Sequence, residues 1–288
     1  MQSNQYSRGR TSVARIMDDW YIAATSAALR DTPLRTTMYG IPIVLFRNTT
    51  GEVGALLDRC PHRNAPLSLG LKKENVLECS YHGWQFDTRG KCVHIPGLAG
   101  DGKGDRRCVE SFQVCEVDGF IWVYATPDVK AVREAFRFPF LREEEYTTIR
   151  ATLDVQGSVH ATAENALDVP HTAYLHSGLF RRSDNKKNEI EVRVIQSHDR
   201  VVAEYVGEPR PEGIVGKILA PGGGVVTHFD RFILPSIAQV EYRIGESSRL
   251  CITAALTPLE NFRTRIFAVM SFRTPLPDRL LALLLRPR

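Results

Sequence analysis

Long apolar runs are absent from this chain of 288 residues. The apolar run near its end, Leu280 to Leu285, is far shorter than the roughly 20 residues that a membrane-spanning helix needs. The first turns of the sequence carry Arg8, Arg10 and Arg15 but lack the apolar core of a secretory signal. We therefore expect a cytoplasmic protein with no membrane span.

An excess of one charge is absent as well. The chain has 37 lysine and arginine residues against 33 aspartate and glutamate residues, which gives a formal net charge of +4. This balance creates no broad electropositive surface for nucleic acid, and neither an RNA-recognition motif nor a helix-turn-helix pattern is present. We expect no nucleic-acid partner.

Cysteine is sparse, with six residues in the whole chain. Without a secretory signal, so few cysteines do not predict a disulfide framework. Four of them fall mostly where strands are predicted, and we interpret these four as buried free thiols: Cys92, Cys108, Cys115 and Cys251.

The length of the chain predicts two domains, and the first is predicted to be all-β over residues 18–130. Ile41 to Phe46 and Val53 to Leu57 flank a turn at Asn48 to Gly51, and Phe120 to Tyr124 has the composition of a buried strand. We place the domain boundary between Pro127 and Pro139.

The second domain, residues 139–288, is predicted to be α+β. Thr148 to Gln156 is typical of a strand, and Ala161 to His176 of a helix that Pro170 ends or kinks near Val169. Antiparallel strands follow, predicted at Val192 to Ile195, Val201 to Val206, Ile237 to Arg243 and Leu250 to Leu256, with turns at Gly245 to Ser248 and Pro258 to Asn261.

Two short motifs carry the clearest chemical signal in the first domain. Cys60-x-His62 and Cys79-x-x-His82 each supply one thiolate and one imidazole, and sixteen residues separate them. Zinc sites usually place both cysteines in one loop and both histidines in another. A Rieske cluster takes two cysteines at one iron and two histidines at the other, so the mixed loops favour electron transfer.

The residues around these motifs resemble the Rieske iron–sulfur domain family. The resemblance rests on Cys-Pro-His-Arg from Cys60, on Cys-Ser-Tyr-His-Gly-Trp from Cys79, on Gly90 and on Ile95-Pro96-Gly97. It implies that Cys60 and Cys79 bind the buried iron of a [2Fe-2S] cluster and that His62 and His82 bind the outer iron. It also implies that the loop glycines, Ser80 and Tyr81 shape the loops and donate hydrogen bonds to the cluster sulfurs.

A second constellation follows in the predicted helical region, where Glu164-Asn165 precede Asp168, His171 and His176. Two histidines five residues apart are weak evidence by themselves, although neutral imidazoles suit ferrous iron. Downstream of a Rieske motif, this order resembles the catalytic domain of Rieske non-heme iron oxygenases. The resemblance is greatest to the catalytic (alpha) subunits of the smaller monooxygenases and demethylases.

That resemblance implies roles for each of these residues. His171 and His176 would hold a mononuclear Fe(II), and Asn165 would face this iron without binding it. Asp168 would bridge His171 to a cluster histidine of a neighbouring subunit, in a head-to-tail homotrimer. Asp168 also has the ordinary alternative of capping the helical segment after the proline.

The same resemblance implies an activity and a helix-grip fold, in which an antiparallel sheet surrounds a long helix. Electrons would pass from NADH or NADPH, through a reductase or ferredoxin, to the cluster and then to the iron. Dioxygen activated there would hydroxylate or demethylate a small apolar organic molecule. Apolar side chains of the later strands would suit its pocket, although they also suit a plain core: Phe229, Phe232, Ile233, Leu234, Ile266, Phe267 and Phe272.

A carboxylate ligand for the mononuclear iron is missing from its expected context. Two histidines and one carboxylate form the usual triad, and Asp278 is the nearest candidate in sequence order. Its ordinary role would be a helix N-cap. Because the chain ends soon after an apolar segment, we expect that a C-terminal helix is missing or that a substitute ligand is used. The alternative function is a non-catalytic electron-transfer or ligand-binding protein without mononuclear iron.

Overall fold

The computed structural model describes residues 15–98, 107–168, 190–207 and 225–275. These residues form two compact units. The first contains residues 15–98, 107–137, 154–159 and 256–265, and the second contains residues 138–153, 160–168, 190–207, 225–255 and 266–275. No helix in these described ranges is long and apolar enough to cross a bilayer.

The first unit is built on three small antiparallel sheets, and the sequence had predicted all-β structure in this part of the chain. Their strand orders are β1-β11-β10, β2-β3-β4-β9 and β5-β6-β7-β8. The strands are β1 (Trp20–Thr25), β2 (Leu34–Met38), β3 (Ile41–Arg47), β4 (Val53–Leu57), β5 (Leu71–Lys73), β6 (Val76–Glu78), β7 (Gln85–Phe86), β8 (Cys92–His94), β9 (Ser111–Phe112), β10 (Val114–Val117) and β11 (Phe120–Tyr124).

The turn between β3 and β4 shows how the local sequence sets the geometry. The side chain of Asn48 accepts hydrogen bonds from the backbone N–H groups of Thr50 at 3.1 Å and Glu52 at 2.8 Å. Gly51 adopts a φ of 87°, a conformation that glycine reaches without a steric penalty. The turn predicted at Asn48 to Gly51 is therefore confirmed.

Two apolar clusters fill the first unit. One joins residues of strands β1, β2, β3, β4, β9 and β11 and includes Tyr21, Leu45 and Val123. The other lies below the two Cys-His loops and includes Cys60 and Cys79 themselves. The cysteine side of each loop is thus part of the core.

A seven-stranded sheet dominates the remainder of the chain, in the order β12-β18-β17-β16-β15-β14-β13. The pairs from β13 to β17 are antiparallel. The elements are β12 (Thr147–Val155), the helix α1 (Val159–Leu167), β13 (Glu191–Gln196), β14 (Arg200–Val206), β15 (Val226–Ile233), β16 (Ile237–Ile244), β17 (Ser248–Glu260) and β18 (Arg263–Arg273). An all-β domain followed by an antiparallel sheet with a helix confirms the predicted fold class.

The helix α1 ends close to the break that was predicted near Val169. It begins at Val159, two residues before the predicted start, and ends at Leu167. The rest of the predicted segment, from Val169 to His176, lies outside the described residues.

Two local predictions were wrong. The turn predicted to begin at Pro258 starts only at Asn261, because β17 continues to Glu260. The carbonyl groups of Pro258 and Leu259 accept backbone hydrogen bonds from Tyr39 and Gly40, which keeps the strand extended. Cys108, predicted to be buried in a strand, is exposed because β9 begins only at Ser111.

Candidate metal centre

The loop after β4 folds back on Cys60 through two backbone hydrogen bonds. The N–H of Cys60 donates to the carbonyl of Ala65 at 2.8 Å, and the N–H of Asn64 donates to the carbonyl of Cys60 at 2.8 Å. Asn64 has a φ of 58°, a left-handed conformation that asparagine tolerates better than most residues. The side chain of Asn64 also accepts a hydrogen bond from Arg59 at 2.7 Å.

The loop after β6 repeats the same pattern around Cys79. The N–H of Cys79 donates to the carbonyl of Trp84 at 2.8 Å, and the N–H of Gly83 donates to the carbonyl of Cys79 at 3.0 Å. Gly83 has a φ of 71°. In both loops the fourth residue after the cysteine has a left-handed backbone conformation, and the carbonyl of the fifth residue accepts the hydrogen bond from the cysteine N–H. The two Cys-His pairs therefore lie on loops of similar backbone geometry.

The two thiols point into the core. Cys60 and Cys79 are each 2% exposed and belong to a cluster that includes Leu77 and Phe86. Burial is the largest influence on the Cys60 thiol and raises its pKa to about 11; the backbone N–H of His62 lowers this pKa, and the nearby Cys79 thiol raises it. A bound metal would deprotonate such thiols, so this pair is suited to a buried metal.

The two imidazoles lie on the outer side of the loops. His62 is partly buried and His82 is exposed, and their ring centroids are 4.5 Å apart. The Nδ1 atom of His62 is buried and has no hydrogen-bond partner among the described residues. Desolvation first, and then the charges of His82 and Arg63, lower the pKa of His62, which favours the neutral form that binds metal.

Aromatic rings hold both imidazoles in place. The ring of Trp84 stacks on His62 with centroids 4.9 Å apart and planes 3° apart. The ring of Tyr81 lies 4.0 Å from His82. Two buried thiols, two outer imidazoles and an unpartnered ring nitrogen fit the ligand set of a Rieske cluster, in which each iron takes two protein ligands.

The second predicted constellation is only partly described. Asn165 lies on α1 and Asp168 lies directly after it, both exposed. His171, His176 and Asp278 lie outside the described residues. Within the described ranges, no three His, Cys, Asp or Glu side chains lie close enough together to hold one metal ion.

A network around Glu241 was not predicted from the sequence. This buried carboxylate accepts from Arg243 at 2.7 Å and Arg249 at 2.6 Å, and pairs with Arg231 at 2.8 Å. Burial alone would raise the pKa of Glu241, but the three arginines outweigh it and hold the pKa below its usual value. The arginines come from three adjacent strands, so no local motif indicates this arrangement.

A buried His228–Asp230 pair on β15 was also missed. The Nε2 of His228 lies 3.0 Å from Oδ1 of Asp230, while Oδ2 of Asp230 has no partner among the described residues. An unsatisfied buried polar group costs about 1–3 kcal/mol. The spacing His-x-Asp on a strand, which puts both side chains on one face, is the signal that could have indicated the pair.

Comparison with known proteins assigns both parts of the chain. Residues 19–132 match the family model of the Rieske [2Fe-2S] domain. Residues 155–285 match that of the vanillate O-demethylase oxygenase C-terminal domain. A Rieske iron–sulfur protein with an oxygenase-type C-terminal domain is the class that these matches define.

Individual relatives agree with this class. The chain is 36% identical to the oxygenase component of dicamba O-demethylase from Stenotrophomonas maltophilia over 168 residues, which are 56% of this chain and 48% of the relative. It is 31% identical to the 3-chlorobenzoate-3,4-dioxygenase oxygenase subunit from Comamonas testosteroni over 263 residues, which are 89% of this chain and 59% of the relative. The chain thus spans about half the length of the curated relatives that it matches.

A solved structure extends the likeness to the whole fold. The crystal structure of dicamba monooxygenase bound to dicamba superposes with a TM-score of 0.80 and 27% identity, covering 95% of this chain and 83% of that chain. The chain belongs to the Rieske non-heme iron oxygenases, on the side of the demethylase and monooxygenase components. The family predicted from the motifs is therefore confirmed.

Proposed function

We propose that this chain is an oxygenase component that uses a Rieske cluster and a mononuclear iron to hydroxylate or demethylate a small organic molecule. The observation that carries the proposal is the pair of matched loops, with two thiols in the core and two imidazole centroids 4.5 Å apart outside it. The match of the following segment to an oxygenase C-terminal domain supports a catalytic role beyond electron transfer.

The cluster ligands in this proposal are Cys60 and Cys79 at the inner iron and His62 and His82 at the outer iron. When bound, the cluster supplies single-electron transfer and the ferrous iron supplies open coordination positions for dioxygen. The chain excludes water from the sulfur side through the apolar cluster that holds both cysteines. On the other side, exposed His82 and Tyr81, which is 63% exposed, offer electrons a way in and out.

The mononuclear site in this proposal consists of His171 and His176, with Asn165 facing the iron and Asp168 bridging to a neighbouring subunit. The sequence spacing and the C-terminal domain match support this assignment. The exposure of Asp168 directly after α1 is compatible with a contact to a second copy in a homotrimer. Asp278 is the candidate carboxylate, and residues 139–288 are our proposed extent of this domain.

A small aromatic molecule is the proposed substrate class, because the relatives include proteins named for demethylation of dicamba and of vanillate. The proposed electron source is NADH or NADPH acting through a reductase or ferredoxin in the cytoplasm. In a demethylation, one oxygen atom of dioxygen enters the methyl group, which leaves as formaldehyde. The other oxygen becomes water with two electrons and two protons.

A single-turnover experiment tests this function. Purified iron-loaded protein, reduced with dithionite and freed of reductant, is mixed with oxygenated buffer and a panel of methoxy-substituted aromatics. We expect formaldehyde and a phenol from at least one compound, together with about three irons per chain. Two irons per chain and no product from any compound would instead support the non-catalytic alternative. The Cys60→Ser variant, which removes a proposed cluster ligand, is expected to form no product. The Cys108→Ser variant, at an exposed thiol outside the motifs, is its control.

A further inference from the structure

Three rings form a ladder across the second unit. Tyr205 on β14, His228 on β15 and Tyr242 on β16 occupy directly paired positions, so all three side chains are on one face of the sheet. The His228 ring lies between the two tyrosine rings, with centroids 4.5 Å from Tyr205 and 4.1 Å from Tyr242 and planes 16° and 15° apart. This stacking holds the imidazole in one orientation.

Asp230 completes the arrangement on the same face. His228 is 0% and Asp230 is 4% exposed, and one carboxylate oxygen of Asp230 lies 3.0 Å from Nε2 of His228. The other oxygen, Oδ2, is buried and has no hydrogen-bond partner in the described part of the chain. The carboxylate of Glu241 differs from that of Asp230, because three arginines pair with it. Glu241 lies on the neighbouring strand and faces the opposite side of the sheet.

The surroundings of the pair are apolar. Val226, Ile244, Leu250 and Phe272 form a buried cluster that Tyr242 joins. Val226, on β15, lies on the same face as His228 and Asp230 by strand alternation. Small-molecule sites combine such apolar walls with a few placed polar groups. In this apolar setting, the unpaired oxygen of Asp230 is available to accept a hydrogen bond from a ligand.

We propose that the His228–Asp230 pair is the polar recognition element for the organic substrate, and that it selects an aromatic molecule with a hydrogen-bond donor, a phenolic hydroxyl or an amino group. This inference rests on the proposed function, since it concerns the substrate of the same unit. Oδ2 of Asp230 accepts the hydrogen bond from the donor, and His228 fixes the carboxylate through Oδ1. An aromatic acid would bring a second carboxylate against Asp230 in a site of low dielectric and is excluded.

A matched pair of ligands tests the proposal by binding, separately from turnover. Titration calorimetry under anaerobic conditions compares 3-methoxyphenol with 3-methoxybenzoate on the iron-loaded protein. We expect the phenol to bind at least about tenfold more tightly, the effect of one hydrogen bond to a charged group. The Asp230→Asn variant, of equal size, is expected to lose this preference. The control Thr227→Ser, next in sequence to His228 on the opposite face of β15, is expected to keep it.

If the Asp230→Asn variant does not fold, a second variant still tests the proposal. His228→Asn removes the group that orients the carboxylate and is expected to reduce the preference while the ferric and ferrous iron content stays unchanged. Equal or tighter binding of the benzoate, binding of neither ligand, or an unchanged preference in every folded variant would overturn the proposal. Absence of turnover despite selective phenol binding would contradict the proposed function while leaving the recognition site in place.

Discussion

The indole of Trp84 and the imidazole of His62 lie parallel, with planes 3° apart and centroids 4.9 Å apart. Trp84 belongs to the second Cys-His loop and His62 to the first, so the second loop orients a candidate ligand of the first. Trp84 also accepts the backbone hydrogen bond from Cys79. One residue thus connects the backbone of one loop with the side chain of the other.

Replacing Trp84 with alanine is expected to loosen the His62 ring. The stacking of two aromatic rings contributes about 0.5–1.5 kcal/mol beyond the burial of their area. We expect the Trp84→Ala variant to lose its visible iron–sulfur absorbance faster on dilution into a chelator than the native chain. Trp84→Phe keeps a ring at this position and is expected to retain most of the absorbance. Equal rates for all three proteins would show that the stacking does not support the ligand.

The second prediction concerns Gly83. A Cβ at this position would lie 2.9 Å from Cγ of Pro96, and the φ of 71° is itself unfavourable for alanine. Gly97, with a φ of 75° and nothing within 4 Å of such a Cβ, is a matched control for the backbone cost. We expect Gly97→Ala to lose about 1–2 kcal/mol of unfolding free energy. Gly83→Ala should lose more, measured by urea unfolding of the apoprotein, and similar losses would contradict the contact with Pro96.

The third prediction follows from the depressed pKa of Glu241. Because its folded-state pKa lies below the unfolded value, its contribution to stability is fully present above the unfolded pKa and is lost as pH falls through the folded pKa. Glu241→Gln leaves three arginines without their carboxylate and is expected to cost about 3–5 kcal/mol at neutral pH. The difference in unfolding free energy between this variant and the native chain should shrink as the pH falls below about 4.5, near the ordinary pKa of glutamate.

A matched control for Glu241 is available on the surface. Glu191 pairs with Arg193 at 2.9 Å, and both side chains are more than half exposed. Solvent screens such a pair, so Glu191→Gln is expected to change the free energy of unfolding far less than Glu241→Gln does. Urea unfolding at a series of pH values measures both variants. A pH-independent loss in Glu241→Gln would show that its ionisation does not stabilise the fold.

The sequence predicted those parts of the molecule that depend on local pattern. The matching loops at Cys60 and Cys79 and the turn after Asn48 both follow from short-range chemistry. Pro258 was misjudged because hydrogen bonds from Tyr39 and Gly40, distant in sequence, keep it in a strand. Cross-strand pairing also depends on contacts between residues that are distant in sequence.

The ladder of Tyr205, His228 and Tyr242 depends on the register of three strands, and no local pattern sets that register. The register of neighbouring strands also brings the three arginines to Glu241, so the sequence alone did not indicate this network. The assignments of His171 and His176 stay predictions, because they rest on spacing and family likeness alone. Local motifs therefore predicted the electron-transfer site, while the groups that we propose for substrate recognition were found only in the folded sheet.

The most direct test of the central claim is pulsed electron paramagnetic resonance of the dithionite-reduced protein. If His62 and His82 bind the outer iron of a two-iron cluster, the reduced protein has a signal coupled to two nitrogen nuclei. The coupling should fall to one nitrogen in His82→Cys, where that variant retains its cluster, and remain at two in Cys108→Ser. A signal without nitrogen coupling, or stoichiometric zinc in place of iron, would contradict the account.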